Sequence, residues 1–453
     1  MSSAAELAPG PSRTLFDRTR DEIANGSFGL PLGLFADEGI YAAEITRIFG
    51  RAWNFLAHET EVPNPGDYVL RHIGADPILV VRGDDDQVRA FHAICRHRGM
   101  QICRAEAGST DRFVCPYHGW AYGSNGGLLG APESRKAYGD QFARKDWGLL
   151  PVAHQDSRNG FIFANLDPDA PSLVDYMGEY SWYFDLYTRL TEQGMEVRGA
   201  PHRFIVPCNW KLGAENFFGD AYHTMTSHRS VIETGLVAVG GNVNFRKEGV
   251  HFNAGGIGGG GLASMGEMAT SYAPEVVEAA RAHLSDGHKE TVFDRGFLPV
   301  SGTLFPNLSF VSGPAIIDKG AAPVRFYSFR QWRPLSADRM EIISWCAVDK
   351  EAPEHVKRLN ERAYSASFGS SGMFEQDDTE NWSYVTAAAK GASASDIALN
   401  YRMGLDKDNA PIEQPIADWP GPGNAYPVSY AEHNQRQFWR TWLGYMVQDG
   451  EGA

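Results

Sequence analysis

Two short segments of this chain each pair one cysteine with one histidine: Cys95-Arg96-His97 and, after 17 intervening residues, Cys115-Pro116-Tyr117-His118. Gly99, Pro116 and Gly119 suit tight loops around them. Both segments lie within residues 51–170, where β-prone runs such as Ile78-Leu79-Val80-Val81 and Phe161-Ile162-Phe163-Ala164 alternate with Gly, Asp and Pro turns. That texture predicts a small all-β domain with one Cys-His pair at the tip of each of two hairpins. Structural zinc sites usually take Cys from one element and His from the other, so the mixed pairs ask for a different centre.

A Rieske [2Fe–2S] centre holds one iron with two Cys and the other with two His. If each loop tip reaches both irons, each must carry one ligand of each type. On that logic Cys95 and Cys115 serve one iron, and His97 and His118 the other. Neutral imidazole ligands reduce the negative charge and raise the potential well above that of an all-Cys cluster. Cys103 is off-pattern and is expected as a buried thiol. With Cys208 and Cys346 the cysteines number five, an odd and sparse set that argues against a disulfide framework.

A second constellation begins about a hundred residues later, in NWKLGAENFFGDAYHTMTSH (209–228). Helical spacing puts Asn216, Asp220 and His223 on one stripe. His228, five residues beyond His223, falls roughly 140° away on an ideal helix. If both His bind one metal, the helix must end, tighten or bulge between them. Two His and a carboxylate make the facial triad that leaves iron positions open for O₂. FEQDDTENW (374–382) offers Asp377 and Asp378, and spacing alone does not choose between them.

CRHRGMQICRAEAG (95–108) and CPYHGWAY (115–122), followed by the 209–228 motif, resemble the large subunits of aromatic-ring-hydroxylating Rieske oxygenases, and the likeness runs from Arg51 to about Trp442. The resemblance implies one [2Fe–2S] cluster and one mononuclear Fe(II). It makes Asp378 the carboxylate ligand beside His223 and His228, and leaves Asp377 a helix-end or supporting group. It implies that Asp220 bonds His223 and, across a subunit boundary, a cluster His equivalent to His118, in a ring of three large subunits (α₃, or α₃β₃ with a small β subunit). Asn216 would lie near the iron without ligating it, and Phe217, Thr224, Leu304, Phe368 and Phe374 would line the substrate pocket. The motifs look most like those of naphthalene and polycyclic-hydrocarbon dioxygenases. The expected reaction is addition of O₂ to an aromatic hydrocarbon of one to three rings, giving a cis-dihydrodiol. An aromatic acid would need a basic partner such as Arg246 or Lys247 from a loop. Ring monooxygenation and a Rieske electron carrier without oxygenase activity are the alternatives.

The expected fold class is α+β: an N-terminal helical segment (1–50) packing on the catalytic domain, the Rieske domain (51–170), and a catalytic domain (171–453) with an antiparallel sheet covered by helices. Residues 171–200 read as helical. Gly255–Gly261 contains one GxGxxG match without a βαβ context, so it reads as a loop, a candidate lid, and not as a nucleotide site. Electrons must then come from a separate reductase, with or without a ferredoxin. A net charge of −15 excludes a nucleic-acid role and disfavours anionic membranes. No signal-peptide core or membrane-length apolar run is present, so the expected location is the cytoplasm.

Overall fold

The structure, a computed structural model, describes residues 10–236, 249–254, 259–265, 271–427 and 431–447. The chain separates into two compact units, Phe49–Leu173 and Met1–Ile48 with Val174–Ala453. Among the described residues no helix is long and apolar enough to cross a membrane.

The Phe49–Leu173 unit is built from small antiparallel sheets. One joins His154–Arg158, Phe161–Asn165 and Asn54–His58; another runs Val88–His92, Asp76–Arg82, Asp67–Ile73, Ala107–Ser109; a third joins Arg112–Val114, Ala121–Gly123 and Leu128–Gly130. Alternating apolar residues (Leu70, Leu79, Val81, Phe91, Phe113, Tyr122) close a core that also takes in Cys95, Cys103 and Cys115. Cys103 is buried as expected and donates its Sγ–H to the carbonyl of Ala105 at 3.3 Å.

The other unit centres on a nine-stranded antiparallel sheet. Its strands are β1 (Met195–Val197), β2 (His202–Val206), β3 (Gly249–Asn253), β4 (Gly259–Met265), β5 (Phe297–Leu304), β6 (Leu308–Ala315), β7 (Val324–Ser336), β8 (Arg339–Asp349) and β9 (Asn424–Tyr426). The order is β1-β8-β7-β6-β5-β4-β3-β9, with β2 also paired to β8. Helices flank it: α1 (Pro11–Ala24), α2 (Glu38–Glu44), α3 (Trp210–Phe217), α4 (Thr224–Ser227), α5 (Glu354–Ser367), α6 (Met373–Ala389) and α7 (His433–Met446). Asp37 caps α2 by accepting the Ile40 N–H at 2.8 Å, and Asn209 caps α3 by accepting the Lys211 N–H at 3.1 Å.

Two sequence expectations are corrected. The 171–200 segment is helical only to Thr188; Met195–Val197 is an edge strand paired with Ala347–Asp349. The Gly-rich segment is not a loop where it is described: Gly259–Gly261 open strand β4, paired to both β3 and β5, while Gly255–Gly258, Arg246 and Lys247 lie outside the described residues. The glycines serve close approach. A Cβ on Gly260 would lie 2.6 Å from the Phe218 ring, and one on Gly261 would lie 2.4 Å from the Ser301 carbonyl oxygen. Side chains there would push apart α3's end and the sheet beneath it. Gly261→Ala is therefore expected to destabilise by about 1–3 kcal/mol or more. Gly444→Ala on α7, where a Cβ meets nothing within 4 Å, should be neutral or stabilising. Urea denaturation of both variants against the parent checks this.

Candidate functional site

The two Cys-His loops are built alike. The Cys95 N–H donates to the Met100 carbonyl at 2.8 Å and the Gly99 N–H to the Cys95 carbonyl at 3.0 Å. In the second loop Cys115 N–H donates to Trp120 O at 2.7 Å and Gly119 N–H to Cys115 O at 3.0 Å. Gly99 (φ +71°) and Gly119 (φ +74°) occupy the same left-handed position, where a Cβ would be strained. The result brings the His97 and His118 rings to 4.4 Å between centroids, with His97 stacked on Trp120 at 5.0 Å. Cys95 and Cys115 are buried free thiols. Burial raises the Cys115 pKa, opposed by the Tyr117 and His118 backbone amides directed at its sulfur. His97 Nδ1 is buried with no hydrogen-bond partner among the described residues. A buried lone pair with nothing to accept from, next to two buried thiols, is a donor set suited to a cluster with mixed ligands.

In the other unit, α3 ends at Phe217, and the chain turns at Gly219 (φ +132°). Asn216 therefore stands on the helix, but Asp220 and His223 do not share its stripe. Asp220 instead accepts the backbone N–H of Tyr222 at 2.9 Å and of His223 at 3.4 Å. The Gly-Asp pair after an apolar helix end is the signal of a helix stop followed by an Asx-type turn, and it outweighs the helical period. Between His223 and His228 the chain makes one short turn, α4, in which the N–H groups of Thr226 and Ser227 both donate to His223 O, and the turn ends at His228. The expected irregularity has this form.

Three donor atoms meet here. His223 Nε2 lies 3.1 Å from His228 Nε2, and each lies 3.3 Å from Asp378 Oδ1. His228 and Asp378 are both buried, each with a side chain 4% exposed. These are the three His, Cys or acidic residues that could hold one ion among the described residues. Each histidine is also held from behind: Asp220 Oδ2 is 3.2 Å from His223 Nδ1, and Asp377 Oδ2 is 3.2 Å from His228 Nδ1. A carboxylate on Nδ1 fixes ring orientation and leaves Nε2 free for a metal. Neighbours on a helix differ by about 100°, so Asp377 and Asp378 reach different atoms of the site.

Burial lowers the His223 pKa, but the carboxylates of Asp220 and Asp378 outweigh it and raise the pKa to about 10. Burial likewise pushes Asp220 and Asp378 up, and bonding to the histidines pulls both below the usual carboxylate range. The cluster is thus built to hold a positive charge.

Asn216, Asp220, His223 and Asp378 share one cleft of about 230 Å³ with Glu215 and Trp382. Of the pocket candidates, Phe217, Phe368 and Phe374 come together: Phe217 meets Phe368 at 5.9 Å, Phe368 stacks on Phe374 at 5.0 Å, and Phe374 packs edge-on to His228 at 4.8 Å. Leu304 is buried at the end of β5 opposite Gly259, and Thr224 is half-buried in α4. Sequence reasoning missed Arg330. It is fully buried, 4.8 Å from the Phe217 ring and 4.9 Å from the Phe368 ring, and ion-paired to Glu375. Nothing in the sequence links two residues 45 positions apart.

Residues 52–147 match the Rieske [2Fe-2S] domain, and residues 175–448 match the ring hydroxylating alpha subunit catalytic domain. The chain is 35% identical over 433 residues to the biphenyl 2,3-dioxygenase subunit alpha of Rhodococcus jostii (strain RHA1), covering 91% of this chain and 88% of that protein. It is 35% identical over 449 residues to the N,N-dimethyl phenylurea N-demethylase subunit alpha of Sphingobium sp. (strain YBL2), covering 96% and 95%. The crystal structure of naphthalene 1,2-dioxygenase from Rhodococcus sp. bound to indole superimposes with a TM-score of 0.90 at 39% identity, covering 98% of this chain and all of that one. Fold and matches together define an oxygenase with a Rieske [2Fe–2S] cluster and a mononuclear non-haem iron. The chain belongs to the family of ring-hydroxylating dioxygenase alpha subunits, components of multisubunit oxygenases.

Without metal, the raised His223 pKa contributes stability that is complete below its unfolded value near 6.5 and is lost as pH rises through about 10. Metal-free protein is expected to melt at progressively lower temperature from pH 7 to 10. Ferrous ion, taking the proton's place, should flatten that slope. Calorimetry with and without iron measures both.

Proposed function

We propose that the chain is the terminal oxygenase component that adds both atoms of O₂ to one face of an aromatic hydrocarbon of one to three rings, giving a cis-dihydrodiol. The observation that carries this reading is the convergence of three donor atoms, on partly buried His223 and on buried His228 and Asp378, beside the stacked rings of Phe368 and Phe374. In this reading His223, His228 and Asp378 hold the iron, which supplies the binding and activation of O₂. Cys95, His97, Cys115 and His118 hold the cluster.

Asp220 and Asp377 orient the two imidazoles. Asp220 is one-third exposed in its cleft, so it can also meet a second subunit. We assign it the bridge between His223 and His118 of a neighbouring large subunit. A ferredoxin or reductase feeds the cluster, the large subunits form a trimer with or without a small β subunit, and the site of action is the cytoplasm. Asn216 shapes the cleft without ligating.

Phe217, Phe368 and Phe374, with Leu304 and Thr224, supply a wall suited to a bare ring. The cation packed against that wall, Arg330, is fully buried and ion-paired with Glu375. That favours hydrocarbons over phthalate- or salicylate-type acids. The dioxygenases among the relatives point the same way. The demethylase relative supports a second reading, in which the same centre oxidises an N-methyl group on an aryl substrate.

A single-turnover experiment separates the readings. Chemically reduced protein given O₂ and naphthalene, biphenyl, phthalate, salicylate or a dimethyl phenylurea is expected to release a cis-dihydrodiol from a hydrocarbon. Product from an acid alone, or loss of a methyl group alone, would replace the proposal. Iron analysis is expected to give three irons per chain, where a simple Rieske carrier holds two. In Asp220→Asn both metal centres should load normally while product formation coupled to electron supply falls by a hundredfold or so; a fully metallated variant with parental turnover would remove Asp220 from the electron path.

A further inference from the structure

Arg330 extends from the middle of β7 into the apolar region between the sheet and α6. Its guanidinium is ion-paired to Glu375 in the first turn of α6 and donates to Ser328 Oγ and to the Phe368 carbonyl, each at 3.3 Å. It lies against both the Phe217 and Phe368 rings, at 4.8 and 4.9 Å from their centroids, where those rings meet each other at 5.9 Å, a doubled cation–π contact. Glu375 precedes Asp378 by three residues, so both lie on one face of α6. Phe374, next to Glu375, carries the ring that stacks on Phe368 and touches His228. One cation therefore joins the sheet, the end of α3, the segment after α5 and the helix that bears Asp378.

The pair is an expensive way to fill a core. Apolar residues of the same volume often match or exceed the stability of a buried ion pair. Here, moreover, Arg330 Nε and Glu375 Oε1 are buried without hydrogen-bond partners among the described residues. What apolar residues would not give is orientation. A planar fork packed against two touching rings resists displacement of either ring, and its bond to Glu375 restrains the rotation of α6 about its axis.

We propose that the Arg330–Glu375 pair is a positioning device that sets where on the ring oxygen is added. It holds the Phe217–Phe368–Phe374 wall at a fixed height relative to Asp378 and His228 without touching the substrate. The inference rests on the proposed role of those residues as pocket wall and metal ligands.

The test uses the assembled oxygenase with the parent's own substrate, whichever the single-turnover screen identifies, and compares Arg330→Lys with the double replacement Arg330→Met/Glu375→Met. Three quantities are read: iron per chain, the ratio of product isomers, and the fraction of consumed O₂ released as hydrogen peroxide. The double variant should fold and carry its iron, since no unpaired charge is left buried. Its isomer ratio should shift several-fold and its peroxide fraction rise about tenfold, because small displacements of a bound ring are amplified in rate. Arg330→Lys keeps the charge but loses the fork, and should shift the ratio in the same direction with folding intact. A folded, iron-loaded variant of either kind with the parental isomer ratio and coupling overturns the proposal, as does a loss of melting temperature unaccompanied by a change in the ratio. If the parent oxidises no aromatic compound, the functional reading fails first. The pair is then judged by the electron paramagnetic resonance of the nitric oxide adduct of the ferrous site, which changes in the variants if α6 shifts and is unchanged if the pair only fills space.

Discussion

A single carboxylate buried far from solvent organises the frame on which the catalytic unit is built. Glu44, at the end of α2, accepts Lys211 Nζ at 2.7 Å, Trp210 Nε1 at 2.8 Å and Trp442 Nε1 at 2.8 Å, and all four side chains are essentially inaccessible. Removing any donor would leave a charge or a polar group unsatisfied in a low-dielectric interior, so the bonds act together. They join the N-terminal segment, the start of α3 and the C-terminal helix α7. The far end of α3 is held just as firmly. Asn434 on α7 donates to the carbonyls of Phe218 and Gly261 at 2.8 and 2.9 Å, and His251 on β3 meets Gly219 O at 2.6 Å. With both ends of α3 fixed, the turn that follows delivers Asp220 and His223 to one place.

That delivery solves an electrostatic problem. Asp220, Asp377 and Asp378 lie around two imidazoles, and three negative charges so close together need positive charge among them. Without metal a proton on His223 supplies part of it, which is why its pKa rises to about 10 in spite of burial. A ferrous ion supplies more and needs neutral imidazole Nε2 atoms, which the carboxylates on each Nδ1 already favour. In the proposed reading iron would take the place of that proton among the same three donor atoms.

How much of this was legible follows from how local each feature is. The Cys-His loops could be read directly, because all four candidate ligands fall within 24 residues and the glycines that shape the turns are beside them. His223 and His228 could be paired by spacing, but the period that placed Asp220 on their helix ignored Gly219, whose backbone ends it. Asp378 is about 150 residues from the histidines, and only a family pattern chose it over Asp377; in space the two are separated by helix geometry that a linear string does not carry. Gly259–Gly261 were misread because glycine marks both loops and close approach, and only the neighbours (Phe218, Phe252, Tyr187) show which applies. The sheet and its helices were legible as a class, while the pairing order that puts β4 beside β5 was not.

The apolar wall explains why rigidity matters so much in this fold. A bare aromatic hydrocarbon offers no polar group to grip, so hydrogen bonds cannot orient it, and shape is the remaining source of selection. Shape selects only if the wall keeps its form. Three aromatic rings packed against each other by dispersion alone could slide with little penalty, since such contacts are individually weak and non-directional. Directional groups hidden behind the wall remove that freedom. Arg330 packs against Phe217 and Phe368, and Phe374 stands on the same helix as Glu375 and Asp378. In the proposed reading the charges in this core leave the surface facing a neutral substrate apolar while the structure behind it is polar and stiff.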